Sequence, residues 1–370
     1  MRFSLFGYTA LGVVLVAASA QANGFSRGAA DTDILYEEGN FNIRAGATVV
    51  MPSHKFSAAS DPRLVGTNYL DNYVIPSAAL KLGLTENLAC AGTYTDAYGA
   101  ASSFDVPYGP SGKESEEFIV NEFGLTCAVF VDVGQGRLSV LGGGFLERFD
   151  YDLSAAPPLL GGAPLDVGLE SDAYGWRAGL GYEIPDIALR AQLMYRSGTK
   201  HEATGIANTP FGPAPAFGEG ELPQSVELEV QSGIAPGWLA FGSVKWTDWS
   251  VNETLDFSIA GFQPQQNQYY WRDGWTVTGG LGHSFSEDIS GVVSLQWDRG
   301  VSTGYDFRSD RWRLAGGVNM SDSIGGELRL GGGATYLASA TIDQPDADHY
   351  GDAVDSGWAG FISASYSVNW

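Results

Sequence analysis

The stretch GWRAGLGYEIPDIALRAQLMYRS, residues 175–197, holds two runs of strict alternation on either side of one Pro-Asp pair. In the first, Trp176, Ala178, Leu180, Tyr182 and Ile184 alternate with Gly175, Arg177, Gly179, Gly181 and Glu183. In the second, Ile187, Leu189, Ala191, Leu193 and Tyr195 alternate with Ala188, Arg190, Gln192, Met194 and Arg196. A repeat of two residues puts each set on its own face of a strand, so one face is apolar and the other polar. Pro185–Asp186 is then a tight turn between antiparallel strands. The same pattern returns at 225–231, where Val226, Leu228 and Val230 alternate with Ser225, Glu227, Glu229 and Gln231.

A soluble sandwich would alternate in the same way, so the longer rhythm decides. Short turns at 85–87, 134–136, 185–186, 235–237, 286–288 and 321–323 alternate with long polar connections at 52–73, 99–116, 151–172, 202–222, 259–273, 299–310 and 338–356. Seven long and six short connections make fourteen strands. That asymmetry belongs to an outer-membrane barrel with short periplasmic turns and long outer loops, and closure removes the unpaired edges. Residues 237–258 carry no turn residues and read as one long strand with a bulge near Trp249. The C-terminal GWAGFISASYSVNW sets Trp358, Ile362, Tyr366, Val368 and Trp370 on one face, against Ser363, Ser365, Ser367 and Asn369. A last strand ending in an aromatic residue is the signal read by the barrel assembly machinery. The fold class expected is all-β, a transmembrane antiparallel barrel of 14 strands over residues 40–370.

Residues 1–22 read as a signal peptide: Arg2, an apolar run from Leu5 to Ala18, and Ala20-Gln21-Ala22 as the cleavage site. After it comes no apolar run long enough for a transmembrane helix. The chain has 50 Gly, 10 Trp, 17 Tyr and 19 Phe, and a net charge of −23, which argues against nucleic acid or anionic lipid as electrostatic partners.

The polar phase of the strands carries Arg190, Arg196, Glu227, Glu229, Lys245, Arg311, Arg313, Glu327 and Arg329. These belong in the lumen, because a charge on the lipid face costs roughly 2–4 kcal/mol at the midplane. Most are expected to pair with one another and brace the interior. Cys90 and Cys127 share the apolar phase of adjacent strands, which allows either a cross-strand disulfide or two inert thiols. The four His, at 54, 201, 283 and 349, are scattered. His283 alone lies on an apolar face, where a barrel phospholipase would carry its base, yet no Ser-His-acid grouping forms and the expectation is no enzyme. No metal-ligand spacing and no cofactor motif occur. The acidic stretch at 343–355 is a solvated loop or a weak cation site.

Several blocks together resemble the FadL family of outer-membrane transporters for long-chain fatty acids and other hydrophobic compounds. They are 175–197, LPQSVELEVQSGIAPGWLAFGSVKWTDWS (222–250), RDGWTVTGGLGHSF (272–285) and DRWRLAGGVNMSDSIGGELRLGGGATYL (310–337). The resemblance implies a monomeric fourteen-stranded barrel closed by an N-terminal hatch, set in outer-membrane lipid and lipopolysaccharide with both termini in the periplasm. It implies passive uptake: outer loops capture a hydrophobic ligand, the lumen binds it, and it leaves sideways near the third strand, about 88–98. Such an exit keeps apolar surface out of water, worth roughly 25 cal/mol per Å2.

The family's carboxylate-binding Arg maps onto Arg148 in Glu147-Arg148-Phe149, where pairing with a lumen acid is the alternative role. The expected Lys before the tenth strand is missing, and Arg272 is the nearby substitute. Leu159, Leu160, Phe211, Phe217, Phe262 and Tyr269 are candidates for a capture groove, or for loop packing. Residues 23–39 would be the plug, with Phe25, Ile34 and Leu35 packing and Arg27, Asp31 and Asp33 bonding to the lumen wall; the alternative is a disordered periplasmic tail. The segment is short for a hatch and lacks the family's Asn-Pro-Ala motif. A general diffusion porin, with an open polar channel and no plug, is the second functional reading.

Overall fold

The computed structural model describes residues 24–262 and 265–370; the expected signal peptide lies outside them. Eighteen hydrogen-bonded segments form one antiparallel sheet. Four of its strands are interrupted once, which leaves fourteen. In chain order they are β1 (Phe41–Ser53), β2 (Tyr73–Thr85), β3 (Leu88–Tyr108), β4 (Lys113–Val133), β5 (Gly136–Ala155) and β6 (Leu165–Ile184). Next come β7 (Leu189–Arg196, Thr199–Thr209), β8 (Gly212–Leu222, Ser225–Ala235), β9 (Trp238–Thr247, Thr254–Ile259) and β10 (Gln265–Gln268, Gly274–Ser284). The last four are β11 (Ile289–Asp298), β12 (Arg311–Ser321), β13 (Gly326–Leu337) and β14 (Gly357–Asn369). β1 pairs with β2 on one side and with β14 on the other, from Asn42↔Asn369 to Ser53↔Trp358, so the sheet closes.

The period-2 pattern explains the cross-section. Leu125, Val129, Val140, Leu180, Val277 and Ile362 point outward and stay exposed, while Arg44, Thr126, Arg177, Gln192, Arg313 and Arg329 point inward and are buried. Toward the loop end an aromatic girdle follows the register, with Trp246 opposite Trp275, Trp297 opposite Trp312, and Tyr336 opposite Trp358. Trp238, Phe285, Tyr366 and Trp370 mark the turn end. Two aromatic rings around an apolar band are the outer surface of a membrane barrel.

Past the loop-end girdle the pattern inverts. Tyr151, Leu153, Leu165, Val167, Leu169, Ala203, Ala207 and Ala216 now point inward and form a core. Arg148, Asp152, Asp166, Glu170 and Asp172 point out. The stretches at 99–116 and 202–222, expected as loops, are therefore mostly strand: β3 and β4 extend through Tyr108 and from Lys113, and Thr209 turns directly into Gly212. Alternation persists there with the opposite polarity, because water rather than lipid lies outside.

A 3-10 turn over Trp249–Val251 breaks β9, where a bulge was expected, and drives Trp249 fully into the barrel. Cys90 and Cys127 stand directly opposite on β3 and β4 and are disulfide-bonded.

Candidate functional site

Two large cavities lie in the interior formed by the described residues. The loop-side cavity, about 240 Å3, is walled by Phe56, Phe104, Phe118, Phe149, Leu169 and Tyr269 among others. The turn-side cavity, about 300 Å3, is polar, with Arg44, Arg196, Glu229, Lys245, Gln296 and Arg329 in its wall. Between them lie Trp249, Tyr98 and a buried ionic network. Arg177 and Arg196 both donate to Glu122, with Arg196 Nη2 at 2.8 Å. Glu147, wholly buried, accepts from Arg196 and Thr199 and lies 3.3 Å from His201 Nε2. Arg196 Nη1 also donates to the Tyr98 hydroxyl at 3.1 Å. Paired in this way, the charges brace the lumen, although Arg177 Nε is buried without a partner among the described residues.

The N-terminal segment runs through both cavities. Its Phe25 ring lies 4.8 Å from Phe118, 4.7 Å from Trp271 and 5.7 Å from Tyr269, and forms part of the loop-side wall. Ile34 and Leu35 are buried among Ala79, Ala89, Ala91, Ala128 and Leu141, each contributing about 1.5–3 kcal/mol. Acidic residues of the segment meet lumen cations: Asp31 with Arg44 at 2.5 Å, Asp33 with Arg190 at 3.0 Å, Glu37 with Arg329 at 3.2 Å.

The same segment completes the wall. The β2–β3 ladder stops at Ser77↔Thr95, although β2 continues against β1 up to Tyr73. Pro76 sits at the stop and brings no N–H to a ladder. From there β3 pairs with the N-terminal segment instead: Gly28 N–H donates to Asp96 O at 2.8 Å, Arg27 N–H to Ala97 O at 2.9 Å, and Gly99 N–H to Phe25 O at 2.9 Å. Ala97 is also the residue at which β3 slips register against β4.

Loops cover the other end of the loop-side cavity. Asp352, buried, accepts from Ser60 N–H at 2.7 Å, Ser60 Oγ at 2.9 Å and Tyr108 OH at 2.9 Å, while His349 stacks on Tyr108 at 4.2 Å. Burial holds the His349 imidazole below its usual 6.5 against the attraction of Asp352. The closed cap thus binds fewer protons than the open one, so its stability is complete above the ordinary value and declines as pH falls through 6.5. The protection factor of the amides in 340–355, the exchange rate corrected for its intrinsic pH dependence, is expected to fall between about pH 7.5 and about pH 5.5, and His349→Gln to flatten that response. A pH-independent protection factor in the unsubstituted chain would contradict this.

The family model described as "Outer membrane protein transport protein (OMPP1/FadL/TodX)" matches residues 37–290. The chain belongs to this family. A long-chain fatty acid transport protein from Salmonella typhi is 26% identical over 291 residues, which cover 64% of this chain and 66% of that protein, just under two thirds of its length. A crystal structure of a Pseudomonas aeruginosa FadL homologue superimposes with a TM-score of 0.76 at 14% identity, over 95% of this chain and 96% of that one. The P. putida toluene transporter TodX gives 0.66 at 12% identity, over 91% and 92% of the two chains.

In this FadL-family outer-membrane barrel the two cations singled out from sequence face away from the lumen. Arg148 is 56% exposed and meets Asp172 at 3.3 Å on the outer surface. Glu147 takes the inward position, since successive strand residues point to opposite faces. Arg272 is exposed and donates to Gly300 O at 3.0 Å, and Trp271 is the inward neighbour. Tyr269 lines the loop-side cavity, and Phe262 packs on the core beneath it. Leu159 and Phe211 are exposed at loop tips, Leu160 is half-buried beside Leu159, and Phe217 points outward. His283 belongs to the turn-end girdle, stacked on Trp238 with Nδ1 2.9 Å from Gly237 O.

The sequence reading missed Arg196, Glu122 and His201 as one constellation. Arg196 and Glu122 lie on the inward phase, but their strands are separated by β5 and β6. Only closure brings them together.

Proposed function

We propose that this barrel admits hydrophobic molecules, long-chain fatty acids among them, by passive uptake across the outer membrane. The observation that carries the reading is the aromatic-walled loop-side cavity that includes Phe25, a residue of the segment that also completes the β2–β3 wall. Apolar tips such as Leu159 and Phe211 make first contact, with Phe262 and Tyr269 further in. The ligand packs against Phe25, the N-terminal segment shifts with it as a hatch, and the seam between β2 and β3 opens sideways into lipid. An apolar molecule then never has to enter the polar turn-side cavity, which would cost roughly 25 cal/mol per Å2 of apolar surface.

In this reading the tight turns and both termini face the periplasm, and the extended hairpins face outward through the lipopolysaccharide. The aromatic C-terminus is what the assembly machinery reads, and a monomer suffices because the exit lies in its own wall. A general diffusion porin is the weaker reading: the buried network around Glu122 and Glu147, with Trp249, stands where an open water path would run. Uptake of labelled palmitate by a deletion strain carrying this gene is expected to exceed that of the empty strain severalfold, with sugar permeation unchanged. Equal palmitate uptake with raised sugar permeation would overturn the proposal in favour of the porin.

A further inference from the structure

A third cavity, about 50 Å3, lies at the top of the β2–β3 seam and shares Tyr69, Leu70, Phe307 and Arg308 with the loop-side cavity. Three guanidinium-bearing residues line it: Arg27 from the N-terminal segment, Arg308 from the connection before β12, and Arg311 at the start of β12. Arg27 is only 2% exposed, and its Nε and Nη2 have no hydrogen-bond partner among the described residues. Buried donors left unpaired in this way are destabilising, and a ligand acceptor would relieve that. The Arg27 head lies flat on Gly99, where a Cβ would fall 2.6 Å from its Cζ, and over the Tyr73 ring at 4.2 Å. Arg308 lies over the ring of Phe25 at 5.1 Å and forms no ion pair among the described residues.

Two of the nearby acids are already engaged. Asp306 accepts from Trp271 Nε1 at 2.8 Å and from the Arg308 backbone N–H at 3.1 Å. Asp71, at the rim, takes the Ser103 hydroxyl at 2.6 Å. Glu117 and Asp96 lie within electrostatic reach of Arg27 and Arg308 adds a like charge, yet two of the Arg27 guanidinium nitrogens stay unpaired among the described residues.

We propose that Arg27, Arg308 and Arg311 form a seat for the carboxylate of an amphiphile whose chain lies in the loop-side cavity. This rests on the uptake reading above and narrows its ligand class from hydrophobic molecules to anionic ones. The 50 Å3 chamber has the scale of a head group, and the adjoining aromatic walls take the chain. Planar guanidiniums are suited to paired hydrogen bonds with a carboxylate. Because Arg27 belongs to the segment paired with β3, the head group engages the piece of chain that closes the seam.

The test is binding of palmitate, its methyl ester and acetate to the purified full chain in detergent, followed by calorimetry. Palmitate is expected to bind at least about tenfold more tightly than the ester, the size of one charge-assisted contact, and acetate not measurably. Arg308→Ala is expected to erase the acid-over-ester preference while leaving ester affinity within about twofold; Arg308→Lys is expected to keep part of the preference and shows that the site still folds. Equal affinity of acid and ester in the unsubstituted chain, or an equal loss for both in Arg308→Ala, would overturn the anion seat and leave the uptake reading standing. No binding of either palmitate or ester would overturn both.

Discussion

Replacing Glu122 by Gln is expected to destabilise the barrel by about 3–5 kcal/mol, the range seen when one member of a buried ionic network is removed. Glu122 is 3% exposed and receives both Arg177 and Arg196. Without its charge the two guanidiniums remain buried, and Glu147 is the one carboxylate left to Arg196 among the described residues. Gln preserves the size of the side chain, so a cavity cannot account for the loss. Urea unfolding in lipid vesicles, followed by tryptophan fluorescence, measures it. Asp172→Asn is the matched control: it breaks the exposed pair with Arg148, a kind of contact worth at most about 1 kcal/mol. Equal losses in the two variants would mean that the buried network does not brace the lumen.

That contrast between Glu122 and Arg148 also marks how far the sequence could be read. Alternation at 174–197 gave the strand faces, and the spacing of tight turns gave fourteen strands, because both are properties of neighbouring residues. Arg148 failed for a local reason with a distant cause. On β5 both phases hold apolar groups near residue 147, with Leu146 on one and Phe145 on the other, and the sequence does not say at which residue the lipid ends. Once the outer surface meets water, polarity inverts, so Tyr151 and Leu153 turn inward and Arg148 turns out. A motif fixes a position along the strand but not the face to which its side chain points. The N-terminal segment was legible in its parts: Phe25, Ile34 and Leu35 read as packing groups, Arg27, Asp31 and Asp33 as polar ones. Its pairing with β3 was not, since nothing in residues 24–28 alternates and the vacancy it fills is created some fifty residues away, where Pro76 ends the β2–β3 ladder.

Gly28→Val is expected to free that segment and raise the open probability of the seam at least about tenfold. A Cβ at residue 28 would fall 2.2 Å from Thr95 Oγ1 and 2.9 Å from the Asp96 carbonyl oxygen. The hydroxyl can rotate, but the carbonyl belongs to β3 where β4 holds its other edge, and Gly28 N–H already donates to it at 2.8 Å. The segment must therefore retreat. In doing so it gives up the two backbone hydrogen bonds from Gly28 and Arg27 to β3, worth about 1 kcal/mol each, and a tenfold change in population needs only about 1.4 kcal/mol. Arg27 leaves Tyr73 and Gly99 at the same time, and Phe25 leaves the aromatic wall, so ligand affinity should fall as conductance rises. Planar-bilayer recordings of the variant beside the unsubstituted chain read the first, and palmitate calorimetry the second. Gly92→Val is the control, because Gly92 lies on β3, the strand that Gly28 pairs with, and no atom falls within 4 Å of its added Cβ. A Gly28→Val channel that stays as closed as the unsubstituted barrel would show that the wall holds without the N-terminal segment, and the exit would then have to be sought elsewhere in the barrel. Higher conductance with unchanged palmitate affinity would separate the two roles, leaving the segment as a seal and removing Phe25 from the binding wall.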